Sequence, residues 1–306
     1  MSRRAARVRF LVNPSSGRGR SGRHVGELRT IARRHGADLV VSESAQHLRD
    51  EACRAADDRL ERLVVAGGDG TFHYVLQDLA GSDCALGLIP TGRGNDLAST
   101  LGAPAGIAEA ARHALEGPTR TIDLGTFRDC HFAVHCGGGF DSEAGRHADS
   151  VRWIRGPLAY PYSVLCTLAR FEPTSFEIEH DAGSFSGRAM FALVANCPRF
   201  GGGMQIAPDA KPNDGLLELI VVREVSKLEL LRVFPKVYSG THVDHPAVTI
   251  VQTKRARIDV ERALPLLSDG ELQTELEPGG VEIGIRPAAL RVVSELDIEL
   301  DALRQR

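Results

Sequence analysis

The run Gly67-Gly68-Asp69-Gly70-Thr71 constrains this chain more than any other feature, because of what flanks it. Arg62-Leu-Val-Val-Ala66 before it reads as a buried strand, and Thr71 to Leu79 after it reads as a helix. In a parallel sheet that junction lies at the carboxyl edge, where ligands bind. Glycines let backbone approach phosphate oxygens, and the start of a helix offers unpaired N–H groups with positive dipole character. Thr71 can cap the helix or bind a phosphate. Asp69 is unfavourable beside phosphate unless a cation screens it, which points to Mg2+.

The same unit recurs along the first third of the chain. Val8 to Asn13, Asp38 to Val41 and Ala85 to Ile89 read as further strands. Helical spacing follows at Arg23 to His35, Leu48 to Ala56 and Asp96 to Leu101. Repeated strand–helix units predict a doubly wound α/β domain, Rossmann-like, over residues 1–123. A second loop, Pro90-Thr-Gly-Arg-Gly-Asn-Asp96, falls in the same strand-to-helix position one unit later. Neighbouring parallel strands would set the two loops side by side, with many N–H donors and the carboxylates of Asp69 and Asp96.

After about residue 123 the pattern changes to short strand-like runs, such as Cys130 to Cys136, Ser175 to His180, Arg188 to Asn196 and Leu216 to Arg223. Turn signals at Asp181-Ala-Gly, Asn213-Asp-Gly and Pro278-Gly-Gly separate them. Helices are expected at Leu158 to Arg170 and Lys227 to Tyr238. The expectation is a C-terminal β-sandwich domain over 124–289, with 290–306 returning to complete the first domain.

Composition removes several classes of function. A net charge of −3 gives no general attraction to nucleic acid, and 5% aromatic residues leave little for base stacking. Basic residues gather at Arg3-Arg4, Arg7, Arg18, Arg20 and Arg23, as a solvated basic N-terminus or as an attraction to phosphates or anionic lipid heads. The six cysteines show no CxxC and no zinc spacing, consistent with free thiols in a reducing cytoplasm. No run of 18 apolar residues predicts a membrane span. Gly17-Arg-Gly-Arg-Ser-Gly22 matches a dinucleotide fingerprint but does not begin at a strand end, since Asn13-Pro-Ser-Ser intervenes. His242-Val-Asp-His245 lacks a third metal ligand at sensible spacing and reads as an exposed loop.

Taken together, Asn13-Pro-Ser-Ser-Gly17, the Gly67 to Thr71 run and Pro90-Thr-Gly-Arg-Gly-Asn-Asp-Leu resemble the catalytic domain of diacylglycerol and sphingosine kinases. The likeness to bacterial lipid kinases continues through Cys136-Gly-Gly-Gly-Phe-Asp141, Gly156-Pro-Leu-Ala-Tyr160, Asn196 with Gly201-Gly-Gly203, Pro208-Asp-Ala210, Asn213-Asp-Gly-Leu-Leu217 and Ser268-Asp-Gly-Glu271. It covers residues 7 to 294, with the motifs in the family's order.

The resemblance implies a set of roles. Asn13, Gly67, Gly68, Asp69, Gly70 and Thr71, with Arg93, Gly94 and Asn95 of the second loop, would hold ATP. Ser42 would supply the nucleotide-contacting hydroxyl that ends the second strand. Asp69, Asp96 and Asp123 match aspartates that organise the catalytic Mg2+. Glu271 matches the proton acceptor, with Asp269 as a competing base or a group that orients it. A second, structural Mg2+ would sit on Asp214 and the backbone carbonyls of Lys211 and Leu216. Arg93 departs from the family's usual threonine; an added cation there either binds phosphate or blocks the usual contact.

The implied activity is phosphorylation of a lipid hydroxyl, diacylglycerol or a related alcohol, by a cytoplasmic protein that visits the bilayer surface as a monomer or a homodimer. An NAD kinase shares the Gly-Gly-Asp-Gly-Thr logic but would carry Asn-Glu where this chain has Asn95-Asp96. A catalytically silent nucleotide- or lipid-binding regulator is the alternative from another class.

Overall fold

The computed structural model describes residues 8–140, 142–143, 166–167 and 170–295. The chain divides into two compact units. One holds residues up to Leu124, Pro212–Gly215 and the chain from Arg286; the other holds Gly125–Lys211 and Leu216–Ile285.

The first unit alternates strand and helix: β1 (Val8–Val12), α1 (Ser16–Arg23), α2 (Val25–Arg34), β2 (Asp38–Val41), α3 (Ala45–Asp57), β3 (Arg62–Gly67), α4 (Asp69–Leu79), β4 (Ala85–Pro90), α5 (Asp96–Thr100) and α6 (Ile107–Glu116). The strands pair in parallel in the order β2-β1-β3-β4. The central strands are almost wholly apolar because both faces are covered. Phe10, Val12, Val64, Ala66 and Ile89 pack on Leu28 and Ala32 of α2 and on Ile107, Ala110, Ala111 and Ala114 of α6. The alternate strand residues Leu11, Leu63 and Val65 are equally buried, and α3 and α4 pack on each other and against β3. This is the doubly wound arrangement. The order 2-1-3-4 reverses between β1 and β3, so the loops leaving those two strands open the crevice in which such sheets bind ligands.

The second unit is built of antiparallel strands from β5 (Thr119–Phe127), which begins in the first unit, β6 (Cys130–Phe132), β7 (His135–Gly139), β8 (Thr174–His180), β9 (Gly183–Ala195) and β10 (Leu217–Arg223). After α7 (Lys227–Val233) follow β11 (Val248–Thr253), β12 (Arg255–Val260), β13 (Leu264–Ser268), β14 (Glu271–Leu276) and β15 (Val281–Val293), which from Arg286 belongs to the first unit, where Val292 pairs in parallel with Leu86 of β4. The long β9 pairs with β8 along its first half and with β7 and β10 along its second. Its first half alternates exposed and half-buried residues; its second half is buried throughout. Phe127, Phe132, Phe176, Ile178, Val194, Leu219, Ile258, Leu266 and Ile283 form the core enclosed by these strands.

The structure departs from the sequence expectations in three places. The glycine–arginine stretch 16–23 is helical at its ends, but Gly17, Arg18 and Gly19 adopt left-handed φ of 60°, 60° and 83°. The expected helix Lys227 to Tyr238 stops at Val233 and continues as a 3₁₀ segment, Phe234–Ser239, because Pro235 lacks the N–H that would extend it. The segment Pro212–Gly215 packs with the first unit, although it lies far along the chain. The expected helix Leu158 to Arg170 and the Gly156 to Tyr160 motif lie almost wholly outside the described residues.

Candidate active site

At the carboxyl edge of the parallel sheet the three loops after β1, β3 and β4 are tied to one another. Asn13, ending β1, donates from Nδ2 to the Thr71 hydroxyl over 2.8 Å and accepts the Ser15 N–H on Oδ1 over 3.1 Å. Thr71 is buried in the first turn of α4 and keeps its own hydroxyl hydrogen to give. Thr91, fully buried, donates its hydroxyl to Ser16 Oγ over 3.3 Å and its N–H to the Gly67 carbonyl over 2.8 Å. Ser42, buried at the end of β2, donates its N–H to the Val12 carbonyl and so sits one strand over from Asn13.

Glycine is required where the loops touch. A Cβ on Gly68 would come within 2.9 Å of the Gly92 Cα, and one on Gly92 within 2.7 Å of the Gly68 Cα. A Cβ on Gly67 would lie 2.4 Å from Thr71 Cβ. Side chains at these positions would push the loops apart.

Asp69 fastens the two glycine loops together. Its Oδ2 accepts the Asn95 N–H over 2.6 Å and its Oδ1 the Leu97 N–H over 3.4 Å. Asn95 itself has a left-handed φ of 55°, and its side chain closes the loop by accepting the Gly92 N–H and donating to the Gly92 carbonyl. Burial, aided by the neighbouring Asp96 carboxylate, pushes the Asp69 carboxyl up to about 6, against the three backbone N–H groups of Asn95, Leu97 and Asp96 that favour its charge. Asp96 is buried in the first turn of α5. Two close carboxylates, one of them reluctant to ionise, suit a site that receives a cation together with phosphate. Arg93, at the tip of the second loop, is exposed and has no ion-pair or hydrogen-bond partner among the described residues. Gly70 lies in the first turn of α4, and Gly94 precedes Asn95.

Asp123 has a different setting. Its Oδ1 accepts the Ala288 N–H over 2.7 Å and its Oδ2 the Gly215 N–H over 2.8 Å, while its own N–H bonds the Pro212 carbonyl over 2.7 Å. It is buried and staples the 212–215 segment to the first unit. Among the described residues no group of three or more His, Cys, Asp or Glu gathers as a metal site, so Asp69, Asp96 and Asp123 do not form one by themselves. Asp214 lies half-buried within the stapled segment, and Lys211 and Leu216 bracket it in sequence.

In the second unit the turn between β13 and β14 separates two acids by role. Asp269, buried with a left-handed φ of 51°, accepts three backbone N–H groups: Ala133 at 3.0 Å, Val134 at 2.7 Å and His135 at 3.2 Å. It therefore fixes the start of β7 against the β13–β14 turn. Glu271 opens β14 opposite Ser268 and is half-buried. Of the glycine-rich run that follows, Cys136 to Phe140 is buried in and just after β7; Asp141 lies outside the described residues.

Ser16 and Thr91 join this constellation although sequence reading did not single them out as ligands. The available signal was position alone: each is a hydroxyl just beyond a strand that ends at the same sheet edge.

Comparison with known proteins gives one answer. Residues 7–127 match the diacylglycerol kinase catalytic domain, and residues 134–294 match the YegS C-terminal NAD kinase beta sandwich-like domain. A diacylglycerol kinase of Mycobacterium tuberculosis is 32% identical over 296 residues, 94% of each chain. One from Bacillus subtilis is also 32% identical, over 87% of this chain and 89% of its own. The fold matches the crystal structure of a diacylglycerol kinase from Bacillus anthracis with a TM-score of 0.72 at 19% identity, over 96% of this chain and 98% of that one.

Proposed function

The chain belongs to the diacylglycerol kinase family, and from that membership we propose that it is an ATP- and Mg2+-dependent lipid kinase acting on the free hydroxyl of diacylglycerol or a related alcohol. The observation that carries the nucleotide half is the Asp69 carboxylate receiving the Asn95 and Leu97 N–H groups. It ties the two glycine loops to each other, with Arg93 exposed at the tip of the second and without an ion-pair or hydrogen-bond partner among the described residues. Backbone N–H groups at two strand-to-helix junctions suit anionic oxygens, once a cation screens the carboxylates of Asp69 and Asp96.

In this reading the ATP phosphates lie against Gly67, Gly68, Gly70, Thr71, Gly94 and Asn95, with Asn13 orienting the Thr71 hydroxyl and Ser42 beside the nucleoside. Arg93 supplies a charge to the outer phosphate, where the family resemblance implies a hydroxyl. Asp69 and Asp96 are the residues that would hold the Mg2+, whose chemistry is to neutralise phosphate charge. The lipid oxygen attacks the γ-phosphorus, the bond from that phosphorus to the bridging oxygen breaks, and ADP leaves. Glu271 takes the proton of the attacking hydroxyl. Asp269 is a positioning residue, since its carboxylate is engaged by three N–H groups. Asp214, with the carbonyls of Lys211 and Leu216, is the proposed structural Mg2+ site.

The test is a panel: purified protein and Mg-ATP with diacylglycerol, sphingosine or NAD in mixed micelles. A phosphorylated lipid is the expected product. Product from NAD alone would overturn the lipid reading, and ATP binding without any product would point to a silent regulator.

A further inference from the structure

Five large apolar side chains are well exposed among the described residues, and four of them lie on one connection between β10 and β11: Leu228 (68%), Leu231 (38%), Tyr238 (46%) and Val243 (38%). Scattered exposed leucines are ordinary on a protein surface; four within so short a segment mark a surface made to be covered. Leu228 and Leu231 are three residues apart on α7 and so share a side of it, while Leu230 alone among the residues of that helix is buried.

The connection is held rather than loose. Ser226 Oγ caps α7 by accepting the Glu229 N–H over 3.2 Å. Gln205 donates its backbone N–H to the Val237 carbonyl and its side-chain amide to the Tyr238 carbonyl. His242, buried on the second 3₁₀ segment (Thr241–Asp244), bonds Ile206 through Nε2 over 3.1 Å. The apolar side chains are thus presented by a backbone fixed to the sandwich.

Cations are interleaved with them. Lys227, Arg232 and Lys236 are exposed, and Arg232 and Lys236 have no ion-pair partner among the described residues. The acid inside α7, Glu229, is instead turned to His245 Nε2 at 3.2 Å. Apolar side chains with unpaired cations beside them match the chemistry of an anionic phospholipid surface: acyl chains accept the leucines and phosphates accept the arginine and lysine. A second copy of this chain fits less well, since a two-fold contact through the patch would gather the unpaired Arg232 and Lys236 of both copies in one interface.

We infer that the α7–3₁₀ connection, through Leu228, Leu231, Tyr238 and Val243 with Arg232 and Lys236, is the face by which this protein docks on an anionic phospholipid bilayer. The inference deepens the lipid-kinase reading and rests on it only for the purpose of docking. Docking itself is tested without catalysis. The full chain is co-sedimented with vesicles of phosphatidylcholine alone or mixed with phosphatidylglycerol, as the parent protein, as Leu228→Ser/Leu231→Ser and as Arg232→Glu/Lys236→Glu.

The parent is expected to partition at least tenfold more strongly onto the mixed vesicles, and each double variant to lose at least tenfold. The charge variant alters only exposed side chains, so its melting temperature should match the parent's. The parallel assay compares long-chain diacylglycerol in vesicles with a short-chain soluble analogue; both variants should lose turnover on the first and keep it on the second. Parent-like vesicle binding by both variants overturns the docking assignment while leaving the kinase reading intact. No turnover on either substrate by the parent, with patch-dependent binding retained, overturns the kinase reading alone. A dimer in sedimentation velocity that the Leu228→Ser/Leu231→Ser change dissolves, with vesicle binding unaltered, assigns the patch to self-association instead.

Discussion

Asn95 gives its backbone N–H to Asp69 Oδ2 over 2.6 Å, so the first residue of α4 sets the conformation of the loop that leaves β4. The bond ties two loops that are separate in sequence but adjacent at the sheet edge. Asp69→Ala removes this tie together with one of the carboxylates assigned to Mg2+. Turnover should fall about a hundredfold or more, the scale expected when preorganised charge stabilisation is lost. A steady-state assay with saturating lipid checks it, and a circular dichroism melt separates loop disorder from global unfolding. Parent-like kcat in Asp69→Ala would remove Asp69 from the mechanism.

The raised Asp69 carboxyl predicts a specific pH dependence. Its value is about 6 in the fold, against 3.8 ordinarily. The folded state therefore holds the proton more tightly than the unfolded chain does. This contribution to stability is complete below about pH 4 and is lost as pH rises through about 6. Denaturant melts of the ligand-free protein should show the loss between pH 4 and 7, and Asp69→Asn should flatten that window. In turnover the sign reverses, because cation binding needs the ionised form: kcat/KM should carry an acid limb near pH 6. A kcat/KM profile flat from pH 5 to 8 would contradict the assignment.

Asp269 and Glu271 stand two residues apart and should fail in different ways. Asp269→Ala leaves the N–H groups of Ala133, Val134 and His135 without their acceptor. Hydrogen bonds to a charged group contribute about 1.5–3 kcal/mol each when buried, so the variant should lose several kcal/mol of stability. Glu271→Gln should melt like the parent and lose kcat with little change in the KM for ATP. Should Asp269→Ala stay stable while Glu271→Gln stays active, the two roles are exchanged.

Much of this was readable from residue order. Phe10 to Val12, Leu63 to Gly67 and Ala85 to Pro90 are continuous apolar runs because the parallel strands are covered on both faces. The glycine loops were legible because each sits where a strand gives way to a helix. What sequence withheld depends on contacts distant along the chain. The acceptors at Asp123 and Asp269 are satisfied by N–H groups up to 165 residues away, which no local pattern encodes. The helix Ile107–Glu116 escaped notice because its buried face is mostly alanine, which makes a faint apolar stripe. The left-handed run at Gly17 to Gly19 was equally hidden, since Arg18 is not a residue that advertises positive φ.

Arg93 offers a test of the nucleotide site at its second loop. Exposed and unpaired at the loop tip, it is free to meet the outer phosphate. Arg93→Ala should raise the KM for ATP about tenfold with a smaller change in kcat, the pattern of a contact made equally in the ground and transition states. Arg93→Thr, which returns a hydroxyl to the loop tip, should recover part of the loss. An unchanged KM for ATP in both variants would show that the arginine does not reach the nucleotide.

Asp123 poses the sharpest choice between a structural and a metal role. Its two carboxylate oxygens already accept Ala288 and Gly215 N–H groups at 2.7 and 2.8 Å, and its burial makes those bonds costly to lose. A carboxylate engaged in this way still has lone pairs for a cation, so geometry permits both roles, but their signatures differ. If stapling dominates, Asp123→Asn should cost about 1–3 kcal/mol at every Mg2+ concentration, because one N–H must then face an amide donor rather than an oxygen. The Mg2+ concentration giving half-maximal turnover should stay at the parent value. Asp69→Asn should do the opposite, raising that concentration severalfold in whatever turnover survives. A joint titration of stability and activity against Mg2+ decides the matter. If Asp123→Asn shifts the Mg2+ requirement as far as Asp69→Asn does, without loss of stability, Asp123 belongs with the catalytic carboxylates.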